Sequence, residues 1–323
     1  MNRVGSSGRG ESVWLGWFLH ATLDDFLPLA EARGDHDVVR RWREEQERLI
    51  LALEGAGWDG GWYRRGYFDD GTPLGSAQGE ECRIDAIAQS WAALSGSGDP
   101  ERARTAMDAV DRDLVLHDEE VARLFTPPFV TSSPDPGYVG AYPPGVRENG
   151  GQYTHAAVWS VFAWAALGRP ERAGELFALI NPVNHAVTPL QAERYRVEPY
   201  VVAADIYSVE PYVGRGGWTW YTGSSGWMFR AGLEAVLGVH LTGDHVRLTP
   251  SLPPGWDRAT VRLRHGTSEY VFELSHSELE EPLTTELDGV SLSPADLVPL
   301  SDDGATHTVR VRVPRAQPSG RFS

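Results

Sequence analysis

A chain of 323 residues, 41% hydrophobic and 23% charged, has the make-up of a globular protein with room for one large and one smaller domain. Its 29 basic and 45 acidic residues give 29 − 45 = −16, and with no lysine in the sequence every formal cation is an arginine. Such acidity argues against nucleic acid or an anionic membrane as partner, and no apolar run of about eighteen residues is present to span a bilayer.

Cys82 is the single cysteine, so no internal disulfide can form; this fits a reducing compartment, and a cytoplasmic location is expected. The first ten residues are polar and Gly/Ser-rich, without the apolar centre of a signal sequence. The aromatic content is high in tryptophan, with 12 Trp beside 11 Tyr and 10 Phe. A large core accounts for many of these. Sugar binding accounts for others, because the C–H face of a pyranose stacks on an aromatic plane.

In chain order, Val13 to Glu31 predicts a helix: Val13, Trp14, Trp17, Phe18, Ala21, Leu23 and Leu27 recur near the helical period. Val38 to Gly55 predicts a second, with an Arg/Glu-rich outer face. Trp58 to Glu81 is irregular and holds a charged cluster, Arg64, Arg65, Asp69 and Asp70. Ile84 to Leu94 is helical again.

An internal repeat follows. Trp91-Ala-Ala-Leu94, a Gly/Ser turn and Pro100-Glu-Arg-Ala103 reappear as Trp164-Ala-Ala-Leu167, Gly168-Arg169 and Pro170-Glu-Arg-Ala173. Glycine ending one helix and proline opening the next define an αα-hairpin, and repeated hairpins imply a solenoid or closed helical toroid. Two long Pro/Gly-rich loops, Thr126 to Tyr153 and Asn181 to Thr222, are candidates for function.

The last helix is expected over Ser225 to Leu237. After Gly238 the pattern shifts to period 2 at Val246–Thr249, Ala259–Leu263, Tyr270–Leu274 and His307–Val313. Residues 239–323 are therefore expected to form a small antiparallel β domain, with a frayed tail from Pro314, behind a helical domain over 1–238.

The strings ECRIDAIAQSWAALSG, YPPGVRENGGQYTHAAVWSVFAWAALG, YRVEPYVVAADIY and GRGGWTWYTGSSGWMFRAGLEAVLG resemble the inverting β-glucan phosphorylases. This is the cellobiose phosphorylase and cyclic β-1,2-glucan synthase group, also called glycosyltransferase family 36, and the likeness runs from Met1 to about Leu263. It implies a mainly α fold, an (α/α)6 barrel incomplete at its N-terminal side, followed by the β unit. It also implies direct attack of inorganic phosphate on the anomeric carbon of a β-glucan, with no other cofactor and no metal. One aspartic acid protonates the leaving oxygen, and no carboxylate base is needed, unlike in inverting hydrolases.

By the same resemblance His155, Thr222 and Gly223 would bind phosphate, and Tyr142, Arg147 and Glu148 would bind sugar. The proton donor of the family lies in a Gly-Asp-Trp-Asn-Asp-Gly-Met-Asn run that Met1-Asn2 looks to continue. The acid is then expected two positions before Met1, no catalytic residue is assigned within the chain, and the chain is expected to be a C-terminal fragment. Family members are often homodimers. Ala204 stands where cellobiose-type members carry a phosphate-binding glutamine, which favours a β-1,2-linked substrate.

Plainer readings remain beside these. His155 could be a satisfied histidine at a helix start, Thr222-Gly223 a simple turn, and Glu148 a loop ion pair with Arg147 or Arg215. Arg64, Arg65, Asp69 and Asp70 could line the leaving-sugar side or form a solvated cluster. Trp218 and Trp220 could stack on sugar or pack the core. Two other functions stay open: an inverting hydrolase using Glu148 with a carboxylate such as Asp205, and a non-catalytic carbohydrate-binding remnant.

Overall fold

A computed structural model of the chain describes residues 1–253, 255–277 and 282–314. Two compact units emerge. The first comprises residues 1–169 and 176–228, the second residues 170–175 and 229–323. The division thus falls after Met228, short of the boundary expected at 238.

The first unit is built from helical hairpins. Helix α1 spans Val13–Ala32, α2 His36–Gly55, α3 Ala86–Ser95, α4 Pro100–Leu114 and α5 Thr154–Ala166. Helix α6, Pro170–Ile180, starts in the second unit and ends in the first, α7 is Pro189–Tyr195, and α8, Thr222–Arg230, runs into the second unit, where a π-helical stretch, Ala231–Val236, follows. The repeat punctuates them as expected. Gly96 closes α3 in the left-handed region at φ 62°, and Gly168 follows α5 at φ 70°. Pro100 opens α4 behind an Asp99 cap whose Oδ1 accepts from Glu101 and Arg102 N–H groups.

Helix α1 packs on α2 and α3, and α3 on α4 and α5. Helices α3 and α5 both bury small residues, Ala88 and Ala92 on one and Ala156 and Ala163 on the other, and Ser90 Oγ and Ser160 Oγ bond between them at 2.9 Å. Trp17, wholly buried, and Tyr63 cross edge-on at 5.2 Å within the core of α1 to α4. Burying an aromatic of this size contributes on the order of 2–3 kcal/mol.

Helix α7 interrupts the loop expected from Asn181 to Thr222. Its Thr188/Gln191 capping box and Pro189 supply the start signal that a seven-residue helix needs.

The second unit holds two sheets. Strands β1 (Val239–Thr242), β2 (His245–Leu248) and β7 (Leu297–Pro299) form one, in antiparallel order β1-β2-β7. The other runs β3 (Arg258–His265), β4 (Ser268–His276), β8 (Thr306–Val313), β5 (Thr284–Leu287) and β6 (Val290–Ser291). Its centre corrects the expectation of an all-antiparallel unit: β4 and β8 pair in parallel, Phe272 opposite Val309. The chain between them carries three strands and is long enough for the crossover that parallel pairing requires. Phe272, Val309 and Val311, all at 0% exposure, lie at its core. The tail expected to fray lies, apart from Pro314, outside the described residues.

Candidate active site

Three segments of the first unit meet around one two-residue strand. Gln152–Tyr153 pairs antiparallel with Asp205–Ile206, which puts the start of α5, and hence His155, beside residues 203–206. On the far side Ala204 donates its N–H to Trp218 O at 2.6 Å, and Gly217 donates to Asp205 O at 2.8 Å. The loop 142–149 is held by Asn149, wholly buried. Its Oδ1 accepts from Phe129 N–H at 2.7 Å and its Nδ2 donates to Tyr142 O at 2.8 Å.

His155 lies between Trp159, ring centroids 4.5 Å apart, and Trp227 of α8, 5.7 Å apart. Its Nε2 is buried and has no hydrogen-bond partner, and burial pushes the imidazole pKa below the ordinary histidine value. Thr222 opens α8 five positions before Trp227, about 7.5 Å along the helix axis at 1.5 Å per residue. The free N–H groups of a first helical turn and the positive end of the helix dipole suit an anion there. The space beside Gly223 is open: a Cβ placed on it would meet nothing within 4 Å.

Arg147 joins Tyr142 and Trp218 to this helix start. Its guanidinium lies 5.2 Å from the Tyr142 ring centre and 5.6 Å from that of Trp218, and Nη2 donates to Tyr221 OH at 3.3 Å. Arg147 itself sits in the left-handed region at φ 51°. Its Nε is 3.9 Å from Glu148 Oε2, too far for a hydrogen bond, and both atoms are buried without partners. The Glu148–Arg147 ion pair of the plain reading is thus present, as a long contact without a hydrogen bond. Arg215 instead lies 5.6 Å from the Tyr212 ring centre.

Arg147 thus links Tyr142, Glu148 and Trp218 to Tyr221, the residue before Thr222, while His155 lies against Trp227 further along α8. The 64–70 cluster does something else. Asp69 accepts from the N–H groups of Ser7, Arg9 and Gly10, Arg64 pairs with Asp59 at 2.6 Å, and Asp70 caps the turn at Thr72. Arg65 pairs at 3.2 Å with Asp85, whose carboxyl pKa is raised by burial against the pull of that cation. These are bonds that hold the chain's own loops. Trp218 and Trp220, at 62% and 65% exposure, do not pack the core. Ala204 is buried at 3%.

Asp205 was a candidate second carboxylate for hydrolysis. It is wholly buried with both oxygens accepting backbone N–H groups, from Arg147 and Trp218 at 3.1 Å each, and so has no face open to a water. Asn149, Gln152 and Ser208 were missed. Each is a buried polar residue in a glycine-rich or irregular stretch bonding a distant backbone, as Ser208 Oγ does to Gly150 O at 2.7 Å. That conjunction is a usable sequence signal.

A cavity of about 680 Å³ adjoins these loops, with Arg3, Asp135, Phe129 and Tyr138 in its wall. Tyr138 meets Tyr142 edge-on at 6.2 Å. The described residues contain no cluster suited to a metal ion and no helix long and apolar enough to cross a membrane.

Comparison with known proteins adds ancestry to this geometry. The chain is 56% identical over 286 residues to the cyclic β-(1,2)-glucan synthase NdvB of Rhizobium meliloti, a match covering 88% of this chain and 10% of that protein. It is 31% identical over 316 residues to solabiose phosphorylase of Paenibacillus borealis, covering 96% of this chain and 40% of that one. The chain thus spans a tenth and two-fifths of these relatives' lengths. A solved sialidase shares the fold alone, with TM-score 0.55 and 10% identity over 78% of this chain and 22% of the other. Residues 1–238 match the glycosyl hydrolase 94 superfamily, catalytic domain, and the chain belongs to that family.

Proposed function

We propose that the first unit carries the phosphate and sugar groups of an inverting phosphorolysis site for β-linked glucan. The observations that support this most are the buried His155 Nε2, which has no hydrogen-bond partner and whose ring lies 5.7 Å from that of Trp227 in α8, and the buried Glu148 Oε2, whose nearest cation is Arg147 Nε at 3.9 Å. An unpaired buried polar atom is costly, and a ligand that bonds it recovers the cost.

In this reading His155 donates to phosphate while Thr222 Oγ1 and the Gly223 N–H cradle its other oxygens. Phosphate carries its own negative charge and needs no base. One of its oxygens bonds to the anomeric carbon as the glycosidic C–O bond breaks, the configuration inverts, and a proton passes from a carboxylic acid to the departing oxygen. The products are a sugar 1-phosphate and a glucan shorter by one unit. Glu148 accepts hydroxyl hydrogen bonds that strengthen as the anomeric carbon gains positive charge, Arg147 and Tyr142 hold the sugar, and the 680 Å³ cavity takes the leaving chain.

The β-1,2 linkage is favoured by the glucan synthase among the relatives and by Ala204, which has no side-chain donor for phosphate. Helices α1, α3 and α5, packed in succession with α2 and α4 against them, suit the inner and outer layers of a partial (α/α)6 barrel. The test is titration of phosphate and of sophorose-type oligosaccharides into the unaltered chain and His155→Ala, with sugar 1-phosphate assayed in parallel. Phosphate binding lost on substitution, with sophorose binding kept, is expected. Equal phosphate affinity in both proteins would remove the anion site.

A further inference from the structure

Asp205 is the buried group that the proposed chemistry leaves unused. Each carboxylate oxygen is spent on a different loop: Oδ2 accepts the Arg147 N–H and Oδ1 the Trp218 N–H, both at 3.1 Å. The two donors belong to the two halves of the site. Arg147 precedes Glu148, and Trp218 leads through Tyr221 into Thr222.

Both halves carry backbone that is not at rest. Arg147 at φ 51° and Trp220 at φ 62° occupy the left-handed region, which costs a non-glycine residue and persists only where surrounding bonds hold it. The chain is also cut to admit the carboxylate. A Cβ on Gly217 would stand 2.4 Å from Asp205 Oδ1 and 2.6 Å from Oδ2, so only glycine lets the loop close on it. Strand pairing of Asp205 with Tyr153 ties the same residue to the start of α5.

We propose that Asp205 is the positioning residue of this site, a single buried carboxylate that sets the Arg147–Glu148 turn against the Trp218–Thr222 segment. The assignment rests on the phosphorolysis reading for its purpose but not for its geometry. Asp205 touches neither substrate. It fixes the distance between the sugar-binding carboxylate and the anion-binding helix mouth. Burial raises its pKa above the ordinary carboxylate value, by more than the Trp218 and Arg147 N–H groups and the Arg147 charge lower it.

The test is Asp205→Asn, which keeps the shape but replaces one acceptor oxygen with a donor facing a donor. Amide exchange of segments 142–149 and 216–222 is compared with that of α1 and α2. At least one of the two segments should lose protection about tenfold while the helices keep theirs. Sophorose and phosphate affinities should both fall about fivefold or more, because one lost bond misplaces both halves.

Asp59→Asn is the control. Asp59 is another buried carboxylate, bonded to the Ala77 N–H at 2.6 Å and paired with Arg64, and its replacement should leave both affinities within about twofold. If Asp205→Asn does not fold, Gly217→Ala displaces the carboxylate with its charge intact and should give the same pair of losses. Unchanged exchange in both segments, or equal affinity loss in the control, overturns the proposal. If the unaltered chain binds neither ligand, the phosphorolysis reading fails, and the exchange comparison still decides the clamp.

Discussion

The parallel-centred sheet of the second unit and the loop junction of the first spend polar groups in opposite ways. Around β4 and β8 the polar atoms are paired. Tyr270 OH takes the Ser301 N–H at 2.7 Å, Ser268 Oγ takes the N–H groups of Asp303 and Gly304, and His307 reaches Asp288 at 2.7 Å and Asp303 at 3.1 Å. Orphans among its described residues are the isolated His276 Nδ1 and Thr285 Oγ1. Around His155, by contrast, Arg147 Nε, Glu148 Oε2, His155 Nε2 and Trp159 Nε1 are all buried without a hydrogen-bond partner, Arg147 Nε and Glu148 Oε2 facing each other at 3.9 Å. A region that satisfies itself gains stability, and groups left wanting gain from any ligand that bonds them.

That contrast can be broken most sharply at the sheet core. Phe272→Ala should cost the second unit about 3–5 kcal/mol in denaturant unfolding, since a fully buried ring leaves a cavity. A loss under about 1 kcal/mol would mean the core is not packed as described. The matching change at the junction, Glu148→Gln, should cost under about 1 kcal/mol of stability, because Oε2 gives up only a 3.9 Å ion pair with Arg147 Nε. It should weaken sophorose binding by about 1–2 kcal/mol. Unchanged sophorose affinity would take Glu148 out of the site.

The smallest effect is the most diagnostic in sign. His307 is raised above the ordinary value of 6.5, first by its bond to Asp288 and then by Asp303. Its folded form binds the proton more tightly than the unfolded chain, so its contribution is full below 6.5 and lost as pH rises through the raised value. His155 is lowered by burial, so the unfolded chain binds the proton more tightly, and its stability contribution grows as pH rises towards 6.5. His307→Asn should flatten the alkaline decline and His155→Gln the acidic rise, read from unfolding midpoints between pH 5 and 8. Two slopes of the same sign would contradict the assignment.

What was legible in the sequence follows the same division. The hairpins could be read because Gly96, Pro100, Gly168 and Pro170 mark helix ends locally, and the strand Thr306–Val313 because its alternation is local too. The parallel pairing of β4 with β8 could not, since nothing in either strand records which distant partner it takes. His155, Thr222 and Glu148 stood out through resemblance to a family, for a histidine at a helix start is chemically ordinary until its Nε2 is seen to lack a partner. Asp205 looked like a candidate for chemistry. Only the arrival of two backbone N–H groups from positions 147 and 218 shows that its oxygens are already taken.

The imidazole of His155 reports on the anion site most directly, by ring NMR titration in the presence and absence of inorganic sulfate, whose charge does not change near neutral pH. The account predicts that His155 titrates below 6.5 in the free protein and moves upward when sulfate binds, with His307 unmoved. A His155 resonance indifferent to sulfate and to phosphate, in a protein otherwise folded, would contradict it.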